Sequence, residues 1–185
     1  LGWMRCMGRR TSGRRSMAGA PILIEPLTKA ASAPFGDVIE TDGAELRLIN
    51  GGTTERFHNL MQIDVGSDGG KPIVSIFRGQ SFEWPISISM VERHPLGSQA
   101  FIPMFCFSFL VVVAEDVGGT PKPPRAFLAA DGQGVNYSRN TWHHPLLSLG
   151  MVSDFMVLDR SGPGNNLQEH FYPGEGYSVS GDWAK

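Results

Sequence analysis

Cysteine is nearly absent from this chain: the sequence holds two, Cys6 and Cys106. Two are too few for a disulfide framework, so a small scaffold held by bridges is excluded and a reducing compartment, the cytoplasm, is expected. Cys106 lies in an apolar run and is expected as a reduced core residue. Long hydrophobic runs are missing as well. The greasiest stretch, Phe101 to Ala114, falls short of a membrane span and reads as buried strands, so no membrane partner is expected. Charge is modest at 18%. The glycines at 66, 69 and 70 are not followed by Lys-Ser/Thr and do not open a helix, which removes a phosphate loop. No nucleophile-elbow pattern occurs, and no internal repeat is evident.

The charge that is present is unevenly placed. Arg5, Arg9, Arg10, Arg14 and Arg15 crowd the first residues, and the first acidic residue is Glu25. Residues 1–17 therefore read as a basic N-terminal extension, disordered or foreign to the fold, ahead of a start at Met17. An Arg-rich, acid-free targeting leader is the alternative. Without those residues the balance is acidic, and nucleic acid is not an expected partner.

Glycine and proline are abundant, 23 and 13 residues, and cut the chain into short elements. Strand-like runs include 22–24, 38–40, 46–49, 73–78, 107–114, 125–130 and 153–158. Looser alternation covers 57–65 and 84–92. Turn clusters such as Gly66-Ser67-Asp68-Gly69-Gly70 and Asp131-Gly132-Gln133-Gly134 separate them. One brief helix is expected over Thr28 to Phe35, ending at Gly36. About ten short strands point to an antiparallel sandwich or barrel, which can enclose a ligand. The domain is expected over 18–165. Beyond Gly162-Pro163-Gly164-Asn165-Asn166 the pattern fades, and 166–185 reads as a C-terminal tail folded on the surface or frayed.

The chemistry concentrates in Glu92-Arg93-His94-Pro95-Leu96-Gly97-Ser98-Gln99 and in Trp142-His143-His144-Pro145. Residues i and i+2 of a strand share a face, so Glu92 and His94 point together and Arg93 points away. Gln99 can return to the same cavity across the intervening turn. Glu-x-His-x4-Gln parallels the first cupin motif, with Cys106 at its closing Gly. Gly132, Ser138, Asn140 and His143 fall at the spacings of the second motif, with Ser for Pro and Asn for Gly. The altered ligand set is Glu92, His94, Gln99 and His143. Two imidazoles and a carboxylate can hold a divalent metal with open positions, although Gln is a poorer ligand than Glu. The same groups can act without metal, as base and acid.

Longer strings carry a closer resemblance. Phe35-Gly36-Asp37-Val38-Ile39-Glu40, Glu55-Arg56-Phe57-His58, the run from Glu92 to Met104, Gly134-Val135-Asn136-Tyr137, Trp142-His143-His144-Pro145-Leu146 and Asp154-Phe155 with Asp159-Arg160 together resemble the ureidoglycolate lyase family, also called ureidoglycolate hydrolase. Phe105-Cys106-Phe107 departs from it, standing where members often carry a polar turn with Gly. The resemblance implies a mostly β fold: a cupin-like antiparallel β-barrel (double-stranded β-helix) with few short helices, commonly a homodimer. It implies a carbon–nitrogen lyase that cleaves ureidoglycolate to glyoxylate and urea in allantoin and purine degradation. A divalent metal such as nickel, or none, is the cofactor expectation.

Ureidoglycolate carries hydroxyl, ureido nitrogen and carboxylate on one carbon. Its collapse needs a proton taken from the hydroxyl, one given to the leaving nitrogen, and a cation for the carboxylate. Glu92, His94, His143 and Gln99 are the catalytic candidates. Arg78, at the end of a strand, is the first choice for the carboxylate, with Arg56 second. Tyr137 and His58 are further substrate-binding candidates. His144 is expected to support the site, His170 to face solvent, and Asp159-Arg160 to close the last strand. Three readings compete: an amidohydrolase releasing ammonia, a metal-dependent cupin oxygenase or isomerase, and a non-catalytic cupin that binds a small carboxylate.

Overall fold

The computed structural model describes residues 19–181. The basic extension 1–17, with Cys6, lies outside the described residues. Two antiparallel-dominated sheets enclose the main core. One has five strands in the order Gly36–Ile39, Gly134–Tyr137, Gln99–Pro103, Ser153–Ser161 and Lys71–Gly79. The larger sheet runs Gln168–Phe171, Met90–Arg93, Trp142–His143, Phe109–Ala114, Arg125–Ala129 and Ile24–Pro26, the last pairing being parallel. The architecture is mostly β and cupin-like, as expected.

Alternation along Phe109–Ala114 explains how that segment can be apolar throughout. Phe109, Val111 and Val113 face Phe101, Val135, Phe155 and Val157 of the five-stranded sheet. Leu110, Val112 and Ala114 face Ile86, Ile88 and Val179 of a third, small sheet. A strand covered on both faces needs apolar residues at every position. Phe155 is fully buried, with edge-on contacts to Phe101, Phe107 and Phe109 at centroid distances of 6.5, 5.2 and 5.0 Å. The expected helix forms over Lys29–Ser32, where the Thr28 side chain accepts a hydrogen bond from the Ala31 amide at 3.1 Å.

Several expectations are corrected. Of the run 57–65, only the start is strand: Thr54–His58 pairs with Glu45–Ile49, and the chain is irregular from Asn59, which has φ 57°. The run 84–92 splits into Ile86–Ile88 and Met90–Arg93, which serve different sheets. The described part of the tail, 166–181, is not a loose end. Gln168–Phe171 pairs with Met90–Arg93, and Tyr177–Val179 pairs with both Ala20–Ile22 and Ile86–Ile88. His170 packs edge-on against Trp142 and Tyr172 instead of facing solvent. Cys106 is free but exposed, because 104–106 forms a bend between strands that turns Phe105 and Cys106 outward while Phe107 returns to the core.

Candidate active site

The two main sheets each present chemistry to the shared interior. On the larger sheet, Glu92 is the direct cross-strand partner of His143. Strand alternation sends their neighbours to the opposite face: Val91 and Trp142 join the second core cluster, and the Arg93 guanidinium lies 4.3 Å from the Trp142 ring centroid and 2.9 Å from Asp116. His94 follows as the strand ends. On the five-stranded sheet, Gln99 is paired with Tyr137. The register that pairs Ala100 with Leu158 sets Gln99 beside Asp159. Asp159 continues the inward row of Phe155 and Val157, both fully buried.

The Glu92 Oε1 atom lies 3.9 Å from His94 Nε2 and 3.6 Å from His143 Nε2. Tyr137 stacks on the His143 ring at 4.3 Å with an 18° interplanar angle. Both imidazoles have a defined tautomer. His94 Nδ1 is 2.7 Å from the Asn166 carbonyl, and His143 Nδ1 is 3.0 Å from the Thr141 carbonyl. A carbonyl only accepts, so each Nδ1 carries a hydrogen and each Nε2 of a neutral ring keeps its lone pair. Nine buried side-chain polar atoms have no hydrogen-bond partner among the described residues, and four of them sit here: His94 Nε2, His143 Nε2, Gln99 Oε1 and Asp159 Oδ1. An unsatisfied buried polar group costs on the order of 1–3 kcal/mol. Their concentration at one place marks a site built for something else to occupy.

Burial dominates the electrostatics. It pushes the Glu92 carboxyl above its ordinary range, with Glu169 adding to the rise and His94 opposing it. It pushes His143 down to about 3, with His94 reinforcing the shift and the Thr141 carbonyl resisting it. His143 is therefore neutral at ordinary pH, and its contact with Glu92 is not an ion pair. The Tyr137 hydroxyl is held protonated, by burial first and the Glu92 charge second. Burial also raises Asp159, while a hydrogen bond from Gln99 and the nearby His94 pull it back. Two imidazole lone pairs and a carboxylate oxygen, mutually within 4.8 Å, fit a divalent metal ion. Backbone carbonyls fix both rings in the ligating tautomer, as metal sites require.

Cavities flank this cluster on both sides. One, about 270 Å³, is lined by His94, Gln99, Asp159 and Asn166, among others. The other, about 350 Å³, is lined by Arg78, Glu92, Gln99 and Phe101, among others. Gln99 borders both. The structure thus brings Glu92, His94, His143, Gln99 and Tyr137 together. Arg78 reaches the rim of the second cavity, mostly exposed, with its guanidinium paired to Asp154 at 2.7 and 2.8 Å. Arg56 and His58 are not brought to the cluster. Arg56 sits on an exposed hairpin opposite Arg47, and His58 borders a separate cavity with Lys29, Glu40 and Glu45.

Asp159 and Arg160, expected to close the last strand, border the His94-side cavity. The signal for Asp159 was its place in the Ser153, Phe155, Val157 alternation. Arg160 is buried and donates to the carbonyls of Ser67 and Pro163, both at 2.9 Å, tying two rim loops to the strand. Gly70 and Gly97 leave room for it: a Cβ there would come within 2.3 Å of its Nε and 2.9 Å of its Cβ.

The ureidoglycolate lyase family profile matches residues 20–180. A Brucella anthropi protein named ureidoglycolate lyase is 60% identical over 158 residues, covering 85% of this chain and 94% of that one. A Rhizobium etli protein of the same name is 58% identical over 149 residues, covering 80% and 90%. Ureidoglycolate lyase 1 of Rhizobium meliloti is 59% identical over 149 residues, covering 80% and 88%. On this breadth of likeness, spanning both sheets and every residue of the cluster, the chain belongs to the ureidoglycolate lyase family.

Proposed function

We propose that this chain is a ureidoglycolate lyase, cleaving ureidoglycolate to glyoxylate and urea. The observation that carries the reading is the convergence of Glu92, His94 and His143 between two cavities, in a chain of this family. Glu92, made more basic by burial, takes the hydroxyl proton. The carbonyl of glyoxylate forms as the carbon–nitrogen bond breaks, and the bonding electrons go to the urea nitrogen. The proton taken by Glu92 passes to the lone pair of His94 Nε2, beside Glu92 and bordering the other cavity, and from there to that nitrogen, so both end as they began. His143 stays neutral and holds the site's shape, with Tyr137 packed on its ring. The substrate carboxylate lies toward Arg78, the guanidinium bordering the Glu92 cavity. A divalent metal such as nickel would be held by Glu92, His94 and His143, with Gln99 as a neutral fourth group. When bound, it would occupy the Glu92 and His94 atoms that otherwise move protons, and would in their place make the substrate hydroxyl more acidic.

The decisive experiment gives purified protein ureidoglycolate and measures both nitrogen products. Urea in step with glyoxylate supports the lyase; ammonia as the primary product would establish the amidohydrolase instead. A reaction on ureidoglycolate supports a role in allantoin and purine degradation. The free, exposed Cys106 supports a reducing compartment, the cytoplasm.

We also propose a homodimer. Lys71–Gly79 is an edge strand nine residues long. With its neighbour it exposes Val74, Ile76, Phe77 and Met156. A long apolar edge of this kind invites pairing with another chain. Phe77 and Arg78 also border the Glu92 cavity, so a second copy seated there would close the rim of the site.

A further inference from the structure

The hairpin of Glu45–Ile49 and Thr54–His58 forms a sheet of its own and pairs with no other strand among the described residues. Directly paired residues share a face. Leu46 with Phe57 and Leu48 with Glu55 make one face; Glu45 with His58 and Arg47 with Arg56 make the other. The apolar face looks into solvent, with Leu46 and Leu48 50% and 65% exposed and Phe57 36%. An isolated two-stranded hairpin is marginal in water, so this face needs a cover.

A matching bare surface lies on the outer side of the five-stranded sheet. Phe155 and Val157 point into the core, so Met156 and its partner Ile76 point out, as do Leu158 and Val74. One row across that side runs Asp37, Asn136, Ala100, Leu158 and Val74. Its first part lies under the segment 59–66. The Gln62 amide donates to Asp37 at 3.2 Å, and the Asn136 side chain donates to the Gln62 carbonyl at 2.9 Å. Asn136 and Ala100 are buried, whereas Val74 and Ile76 are more than half exposed. The bare surface continues past Arg78 and Asp154 into a cavity of about 550 Å³, where Phe105, Met151 and Val152 are at least half exposed.

The covering segment begins directly after Thr54–His58. The hairpin therefore springs from the covered part of the same face whose other part is bare. Two copies set outer side to outer side about a twofold axis bring each hairpin over the other's bare part. We propose that the hairpin is a docking arm: the Leu46, Leu48 and Phe57 face of one copy seats on the Val74, Ile76 and Met156 surface of a second copy, and the reverse. This rests on the homodimer reading and names the segment that makes the contact. Half-exposed apolar side chains of this size present roughly 80–100 Å² each. With the three in the cavity, these nine approach the ~800 Å² per partner of a stable interface.

The test is sedimentation velocity of the full-length protein. The double variant Leu46→Lys with Leu48→Lys should weaken self-association about a hundredfold or more and run as monomer where wild type runs as dimer. Thr54→Lys, on the opposite face of the same hairpin, should stay dimeric. Mixing the double variant with Ile76→Glu should restore a dimer that neither forms alone. One contact of that mixed pair is native, and the other sets lysine against glutamate. This mixing separates a lost contact from a damaged fold. A dimeric double variant, equal dissociation by Thr54→Lys, or no dimer in the mixture overturns the proposal. Failure of the homodimer reading looks different: wild-type protein would then run as monomer at every concentration.

Discussion

Replacing His143 with Gln should remove a large part of the protein's acid sensitivity. The imidazole is 1% exposed and its pKa is pushed down to about 3 by burial. In the unfolded chain it returns to about 6.5. Above that value both states are neutral and the group adds nothing to the pH dependence. Below it the unfolded chain binds a proton that the folded chain refuses, so stability falls as pH drops toward 3. From about pH 7.5 to about pH 5 the loss amounts to ~2 kcal/mol, and the full shift corresponds to ~5 kcal/mol. Guanidinium unfolding at the two pH values, with a chelator present, reads the difference. The wild-type change between them should exceed that of His143→Gln by ~2 kcal/mol, whatever the variant's absolute stability. Identical pH dependences would refute the claim that a neutral imidazole is buried here.

Other consequences follow from the packing and the rim. Phe155→Ala removes a fully buried ring from the contact with three phenylalanines and should cost about 3–5 kcal/mol in the same unfolding assay. Ile76→Glu, on the exposed edge strand, should shift sedimentation from dimer to monomer while leaving the circular dichroism spectrum unchanged. Arg78→Ala should raise the KM for ureidoglycolate about tenfold or more with a smaller effect on kcat. An unchanged KM would move the carboxylate elsewhere.

The parts of this molecule legible in the sequence are those governed by local period and punctuation. The six residues Phe109–Ala114, the Thr28 helix start and the shared face of Glu92 and His94 could be read directly. Pairing between distant strands could not. Gln168–Phe171 is three polar residues followed by an exposed Phe, with no apolar alternation, and its pairing with Met90–Arg93 makes it a strand. Cys106 was misread because an apolar run does not reveal that its middle bends outward. At the site, Glu92, His94 and His143 announced themselves by residue type. Asp159 was taken for a strand end; alternation with Phe155 and Val157 gives its inward direction, but its place beside Gln99 depends on a register set by Gln99–Pro103. Arg56 and His58 were drawn toward the site by a resemblant string, yet the Glu45–Ile49 and Thr54–His58 hairpin carries them away from it.

The most direct test compares turnover of ureidoglycolate by Glu92→Gln, His94→Ala and His143→Ala with wild type, each verified as folded by near-ultraviolet circular dichroism. Every one of the three should lose about a hundredfold or more in glyoxylate and urea formation together. Near-wild-type rates in all three would contradict the claim that the reaction occurs where these side chains meet.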